Sequence, residues 1–344
     1  MDAHIQDSSR STSRAQPALI LSRREIAALM SLQDYIAAVE AGFRSYAGGG
    51  ANVPLPMHIA AEGGAFHAKG ARLALDRSYV ALKLNGNFPD NPRCAGLPTI
   101  QGVVLLCDGS DGSVLAVMDS IEITLRRTAA ATALAARYLA PQDADCLALC
   151  GCGEQGRAQL RALAETLPLR RALAWDLDPA KAKRFAQDMS AALGIEILAV
   201  SDARDATRSS RVIVTATTAR TPFLASDMVP AGAFVAAVGA DSAEKSELAP
   251  ELMARSTVVV DLLAQAVAMG DLHHAINAGL VTERHVHAEL ADIVVGRRPG
   301  RRSADETIVF DSTGTAIQDV ATAAWIYRKA AAMNVGASIS FGVS

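Results

Sequence analysis

The chain has 344 residues, half of them hydrophobic and a fifth charged, which is a globular composition with apolar material for two ordinary domains rather than one. Its formal net charge is -3 and its Lys and Arg are scattered, so neither nucleic acid nor an anionic membrane is expected as a partner. No apolar run approaches the roughly 20 residues of a membrane helix. The five cysteines have no second Cys/His pair at zinc spacing and read as reduced, metal-free thiols of a cytoplasmic protein.

Residues 1 to 17 (MDAHIQDSSRSTSRAQP) are rich in Ser and Arg with no hydrophobic core segment, and read as a disordered tail. Ser22 to Tyr46 starts on a capping pattern, Ser22 with Glu25, and continues at helical spacing through Ile26, Leu29, Tyr35, Ile36 and Val39. From Asn52 to Val117 the period shifts toward two, with Gly, Pro, Asn and Asp between short apolar runs. An antiparallel or mixed sheet is the expectation there. Thr124 to Leu139 is an Ala-rich helix stopped by Pro141.

The texture then changes. Strands at Cys146–Cys150, Arg171–Trp175, Ile195–Val200, Arg211–Thr215, Phe234–Val238 and Val258–Val260 alternate with helical segments, which predicts right-handed βαβ units on a parallel sheet. Thr315 to Met333 is again helical. The expected fold class is α/β: a doubly wound Rossmann-type domain over 141–314, and a discontinuous α+β substrate and dimerisation domain from 18–140 and 315–344.

GCGEQG (Gly151–Gly156) directly follows a buried strand and opens a helix, which is the context a dinucleotide loop needs. Gly151 allows the tight turn, and Gly153 lets the backbone approach a pyrophosphate. The N–H groups around Glu154 and Gln155 lie at the positive end of the helix. Asp176 ends the next strand about 20 residues on, where an acid binds the adenosine ribose hydroxyls. Asp178 follows it and no Arg is adjacent, which favours NAD(H), with NADP(H) as the alternative. Thr215 and Thr217, at a later strand end, are expected to face the cofactor.

Five stretches resemble the ornithine cyclodeaminase and mu-crystallin family. They are GLPTIQGVVLLCDGSDGSVLAVMDSIEITLRRTAAATALAARYLA (Gly96–Ala140), the GCGEQG loop, TATTARTPF, VGADSAEKSELAPELMARSTVVVD (Val238–Asp261) and FDSTGTAIQDVATAAWIY (Phe310–Tyr327). The resemblance implies an NAD(P)-dependent homodimer acting on a small imino or amino acid. It also implies that Lys83 lies near the substrate carboxylate, that Arg127 clamps that carboxylate, and that Asp241, beyond Val238 and Gly239, is the acid/base. Ser312, Thr313 and Gly314 would line the nicotinamide. One departure is visible: where the family has a further carboxylate-gripping Arg, this chain has His58.

The residues support the same chemistry directly. Hydride transfer at Cα needs the carbon held within about 3–3.5 Å of the nicotinamide, which a two-point carboxylate grip provides. Arg127 offers a planar fork and Lys83 a second charge, while Asp241 can move the nitrogen's proton. Arg126 and Arg127, being adjacent, face different sides of their helix, so one is a surface cation. His58, His67, Lys69, Arg72 and Lys83 concentrate basic potential on the same strands, which suggests a second carboxylate on the substrate, as in iminosuccinate. Three readings stay open: an imine reductase or amino-acid dehydrogenase, a cyclodeaminase with catalytic NAD+, and a non-catalytic mu-crystallin-like carrier.

Overall fold

The computed structural model describes residues 17–341 and shows an α/β chain built on two eight-stranded sheets. The tail expected over residues 1–17 lies, as far as residue 16, outside the described residues. In chain order, β1 (Ala18–Leu21), α1 (Arg23–Leu29) and α2 (Leu32–Ala47) lead to β2 (Ala51–Asn52), β3 (Met57–Ala61), β4 (Gly64–Ala74) and β5 (Ser78–Asn87). After one helical turn, α3 (Asn91–Cys94), come β6 (Ile100–Asp108), β7 (Val114–Asp119) and the long α4 (Ser120–Leu139).

The next stretch alternates: β8 (Cys146–Cys150), α5 (Glu154–Ala164), β9 (Arg171–Trp175), α6 (Pro179–Leu193), β10 (Glu196–Ala199), α7 (Ala203–Arg208), β11 (Val212–Thr215) and β12 (Phe234–Ala237). It continues through α8 (Pro250–Arg255), β13 (Thr257–Val260), α9 (Leu263–Ala268), α10 (Asp271–Asn277), β14 (Val286–Glu289), α11 (Leu290–Val294) and β15 (Ile308–Asp311). The chain closes with α12 (Ala316–Met333) and β16 (Ala337–Ile339).

The single helix expected over 22–46 is two helices. Met30 is extended (φ -133°, ψ 135°), and Ser31 restarts the helix with its own capping box, exchanging bonds with Asp34 at 2.8 and 3.2 Å. Helix α4 begins four residues before its expected start, because Asp119 accepts the N–H groups of Ile121 and Glu122 and caps it earlier.

The first sheet runs β16-β1-β7-β6-β5-β4-β2, with β3 also on β4, and is antiparallel apart from the β1–β7 pair. On β5 the alternation is clean: Tyr79, Ala81 and Lys83 are buried beneath the helices, while Val80, Leu82 and Leu84 face out. Helix α12 lies across β4 and β5 and against α2 and α4, and β16 pairs with β1. The Ala-rich stretch of α4, Ala129 to Ala136, is buried throughout, because small side chains let three helices pack closely around it.

The second sheet is wholly parallel, in the order β10-β9-β8-β11-β12-β15-β13-β14. Its central strands are buried on both faces, as a doubly wound sheet requires. Strand order reverses between β8 and β11, so a crevice opens outside their carboxyl ends.

Helix α12 carries the first turn that faces this crevice, and α2 fixes where it lies. A Cβ on Gly42 of α2 would sit 2.9 Å from the Ala321 methyl and 3.3 Å from the Ile317 carbonyl oxygen. Gly42→Val is expected to overpack this contact at a cost of about 1–3 kcal/mol. It should lower the thermal unfolding midpoint by several degrees and depress activity through α12; an unchanged melt would show that the helices can part freely.

Candidate active site

The loop after β8 is shaped for a dinucleotide. Gly151 has φ +109°, and a Cβ there would lie 2.4 Å from the Ala216 carbonyl oxygen beyond β11. A Cβ on Gly156 would strike the Gly151 carbonyl at 2.1 Å, so helix α5 packs on the loop only with glycine there. Gly153, by contrast, caps α5 and would meet nothing within 4 Å, which leaves open space over the helix N-terminus for a pyrophosphate. The amide nitrogen of Gln155 is buried with no partner among the described residues, a donor left for a ligand. The Glu154 side chain points away, 77% exposed and 4.0 Å from Arg157, so only its backbone belongs to the loop. Asp176 accepts the Cys152 N–H at 2.8 Å and pairs with Lys181 at 2.9 Å. Partial burial pushes its carboxyl up, but these partners outweigh that and hold it below the usual range.

Buried carboxylates organise the neighbouring loops. Glu247 accepts the Thr215 hydroxyl (2.6 Å), the Thr217 N–H and hydroxyl (both 2.6 Å) and the Gly239 N–H (2.8 Å). The expectation that the two threonine hydroxyls face a cofactor is thereby corrected: both are turned onto Glu247, and Thr215 is fully buried. Asp271 takes the N–H groups of Glu247 and Leu248, and Asp311 takes that of Leu272. Asp261 receives the Thr313 hydroxyl and the Gly314 N–H, fixing the loop after β15. Ser312 is buried with its hydroxyl unpartnered among the described residues, while Val238 bonds back to Thr215.

Across the crevice, strand register puts His58 opposite His67 and Lys69 opposite Lys83, all on the face toward α12. Arg72 differs in parity from Lys69 and lies exposed on the other face, so it does not belong with these cations. Lys83 meets Asp319 at 2.8 Å; Arg127 meets Asp319 through Nε at 3.0 Å and Gln318 through Nη1 at 2.8 Å. Arg126 turns outward to Glu122. Lys69 donates to the carbonyls of Thr313 (3.1 Å) and Gly314 (2.8 Å), spanning from the first sheet to the cofactor-side loop. Gly314, at φ +74°, lies so close that a Cβ would be 2.7 Å from Arg127 Nη1.

Electrostatics tie the two sides together. Burial pulls Lys83 down to about 7, with Asp319 opposing and Arg127 and Lys69 adding to the fall. Lys69 is lowered chiefly by burial, with Asp241 opposing the fall and Arg127 adding to it. Asp241 is exposed over 55% of its side chain, and Lys245 at 2.6 Å and Lys69 hold its carboxyl below the usual range. His67 is lowered by burial and by His58, whose Nδ1 is 3.4 Å away. Asp319, Gln318, Glu247, Lys245 and Gln265 belong to this arrangement and were not anticipated. For Asp319 a signal exists: an acid in the otherwise apolar AIQDVATAAWIY must have a partner.

A parallel-sheet domain with a phosphate loop at its switch point, facing a cationic sheet across a crevice, defines a dinucleotide-dependent enzyme that grips a small anion. The chain belongs to the ornithine cyclodeaminase/mu-crystallin family, whose model matches residues 17–334. It is similar to a Thermococcus litoralis Delta(1)-pyrroline-2-carboxylate reductase solved with NADH and L-proline, at 36% identity and TM-score 0.88, over 93% of this chain and 100% of that one. An archaeal alanine dehydrogenase dimer with bound NAD is similar at 36% identity and TM-score 0.89, over 94% and 99%. The iminosuccinate reductase of Paracoccus denitrificans with NAD+ is similar at 33% identity and TM-score 0.86, over 95% and 100%.

The carboxylate frame has a pH signature. Burial pushes Asp271 up to about 7 from an ordinary 3.8, with Glu247 adding, and Asp311 is raised for the same reasons. The fold thus holds a proton that the unfolded chain releases between about pH 4 and 7. The stabilisation is full below 3.8 and is lost as pH rises through about 7. Thermal midpoints should fall between about pH 4 and 7. Asp271→Asn, whose Oδ1 can keep the bonds to 246–248, should flatten that fall. An unaltered slope would assign the proton elsewhere.

Proposed function

We propose that the chain is an NAD(H)-dependent imine reductase and amino-acid dehydrogenase acting at the α-carbon of a small dicarboxylic imino or amino acid. The observation that carries this reading is Lys69, which stands opposite Lys83 on the first sheet, bonds to the loop at 313–314 and interacts electrostatically with both Asp241 and Arg127. These contacts support a carboxylate grip, that loop and an acid serving one space.

The residues fit each role. Glycine loop 151–156 and Asp176 would hold the dinucleotide, and the ionised Asp176 would repel a 2′-phosphate, which favours NAD(H) over NADP(H). Bound NADH would supply a hydride to the imine carbon. Arg127 has Nε and Nη1 fixed by Asp319 and Gln318, leaving Nη2 for the substrate α-carboxylate, with Lys83 beside it. Asp241, held ionised by Lys245 and Lys69, would face the nitrogen as counter-ion to a protonated imine during reduction. In the oxidative direction it would take the ammonium proton. His58, His67, Lys69 and Lys245 would receive a second carboxylate. The iminosuccinate reductase among the similar proteins supports this choice.

With an imine formed from oxaloacetate and ammonia, NADH oxidation should exceed that with pyruvate or glyoxylate; a preference for the monocarboxylates would remove the dicarboxylate assignment. Ammonia release from ornithine with catalytic NAD+ would instead mark a cyclodeaminase. Asp241→Asn should lower kcat by about 10²–10⁴-fold while NADH still binds. Full activity in that variant would end the proton-handling role.

A second copy of the chain is the partner that suits the outer face of the first sheet. Val80, Leu82, Leu84 and Val103 lie there side by side, 38–46% exposed, an apolar strip rare on a monomer. The archaeal alanine dehydrogenase dimer supports the same assembly. Leu82→Asp should convert a dimer to monomers in light scattering; an unshifted mass would move the interface elsewhere. All five cysteines are free thiols, and no helix among the described residues is long and apolar enough to cross a membrane. Both features support a cytoplasmic location.

A further inference from the structure

We propose that Glu247 is a positioning residue, setting the loop that carries Asp241 and the loop after β11 against the reacting carbon. The inference rests on the proton-handling role assigned above to Asp241. Glu247 is fully buried. Its Oε1 accepts the N–H and hydroxyl of Thr217, and its Oε2 accepts the Gly239 N–H and the Thr215 hydroxyl. One side chain therefore bridges the ends of β11 and β12, two residues before Asp241. A Cβ on Gly239 would lie 2.4 Å from Glu247 Oε1, so the loop closes directly over the carboxylate.

The backbone of Glu247 is fixed as well. Its carbonyl accepts Phe223 and Leu224, and its N–H donates to Asp271. The carboxylate is thus held from behind, and the loops are hung from it. Only a carboxylate satisfies this site, because each of its oxygens must accept a backbone N–H. A carboxamide in either orientation would turn an NH2 onto one of those donors and leave a buried group unpaired.

The test compares the full-length chain with Glu247→Gln. NADH titration gives the number of intact sites; kcat for amino-acid oxidation per site, KM for NAD+ and the solvent deuterium effect on kcat are then measured. The expected result is an unchanged site number and a kcat per site lower by roughly 10- to 100-fold, the scale on which misplacement by about an ångström acts. KM for NAD+ should move less than kcat, and the deuterium effect should increase as proton transfer to Asp241 becomes limiting. A wild-type kcat per site, or a loss matched by lost NADH sites with no isotope change, would overturn the proposal.

Thr217→Val removes one donor to Glu247, together with the acceptor of the Ala219 N–H, and should give the same signature at smaller amplitude. Wild-type kinetics there would count equally against the proposal should Glu247→Gln not fold. Asp241→Asn is run in parallel. If it keeps wild-type kcat, the role of Asp241 fails; if it is inactive while Glu247→Gln is normal, only the positioning role fails.

Discussion

Asp319 takes Lys83 on one carboxylate oxygen and Arg127 on the other, and all three side chains are at least nine-tenths buried. Two cations so close would repel each other in a dry interior, and neither could be held there unpaired. Removing one partner of such a buried group leaves an uncompensated charge, at a cost of about 3–5 kcal/mol. The carboxylate comes from the first turn of α12, where the helix N-terminus also favours an anion. The cations come from a strand and a helix far away in sequence. The packing of α12 across the first sheet is therefore the condition for a carboxylate grip, and the small residues Gly42 and Ala321 let α12 lie deep enough.

The opposite wall is built on the same principle with the sign reversed. Glu247, Asp271, Asp311 and Asp261 are all buried, and each is surrounded by backbone N–H or hydroxyl donors rather than by cations. Such donors fix direction as well as charge, so the loops after β11, β12 and β15 take defined positions at the crevice. Where two of these acids adjoin, at Asp271 and Asp311, repulsion and desolvation raise their proton affinity and the frame carries a proton.

Much of this could be read from the chain, and the omissions have physical causes. The sequence predicts a helix from about Pro179 to Leu193, and α6 has those bounds because its cap, Asp178, its N-terminal Pro179 and its final Gly194 are all local signals. The break between α1 and α2 was hidden because apolar spacing continues through it, although Ser31 and Asp34 repeat the capping pattern of Ser22 and Glu25. Parity alone separates Arg72 from Lys69 on one strand, a distinction that a sum of nearby charges ignores. The roles of Glu247 and Asp319 are different in kind. The threonines that Glu247 joins to Gly239 stand 30 and 32 residues away, and Arg127 stands 192 residues from Asp319; no local pattern encodes a bond across such separations.

The charges around the crevice also bear on what it accepts. Lys69, Lys83, Arg127 and Lys245 face it or its walls, against Asp319 and Asp241. Asp319 is consumed in holding Lys83 and Arg127, and Asp241 is occupied by Lys245 until a nitrogen displaces it. Lys83, pulled to about 7, is only partly charged at neutral pH, and an arriving carboxylate would draw a proton onto it. A monoanion meets the grip of Arg127 and Lys83 and leaves Lys69 with two carbonyls alone. In the proposed site a dianion would also supply a partner for Lys69 and for the half-buried His67, which desolvation and His58 hold toward its neutral form and which a carboxylate alongside would favour protonated. There the second anion would meet the His67 ring, a group whose charge depends on pH, rather than a fixed charge, which would make selection between substrates of one and two carboxylates sensitive to pH.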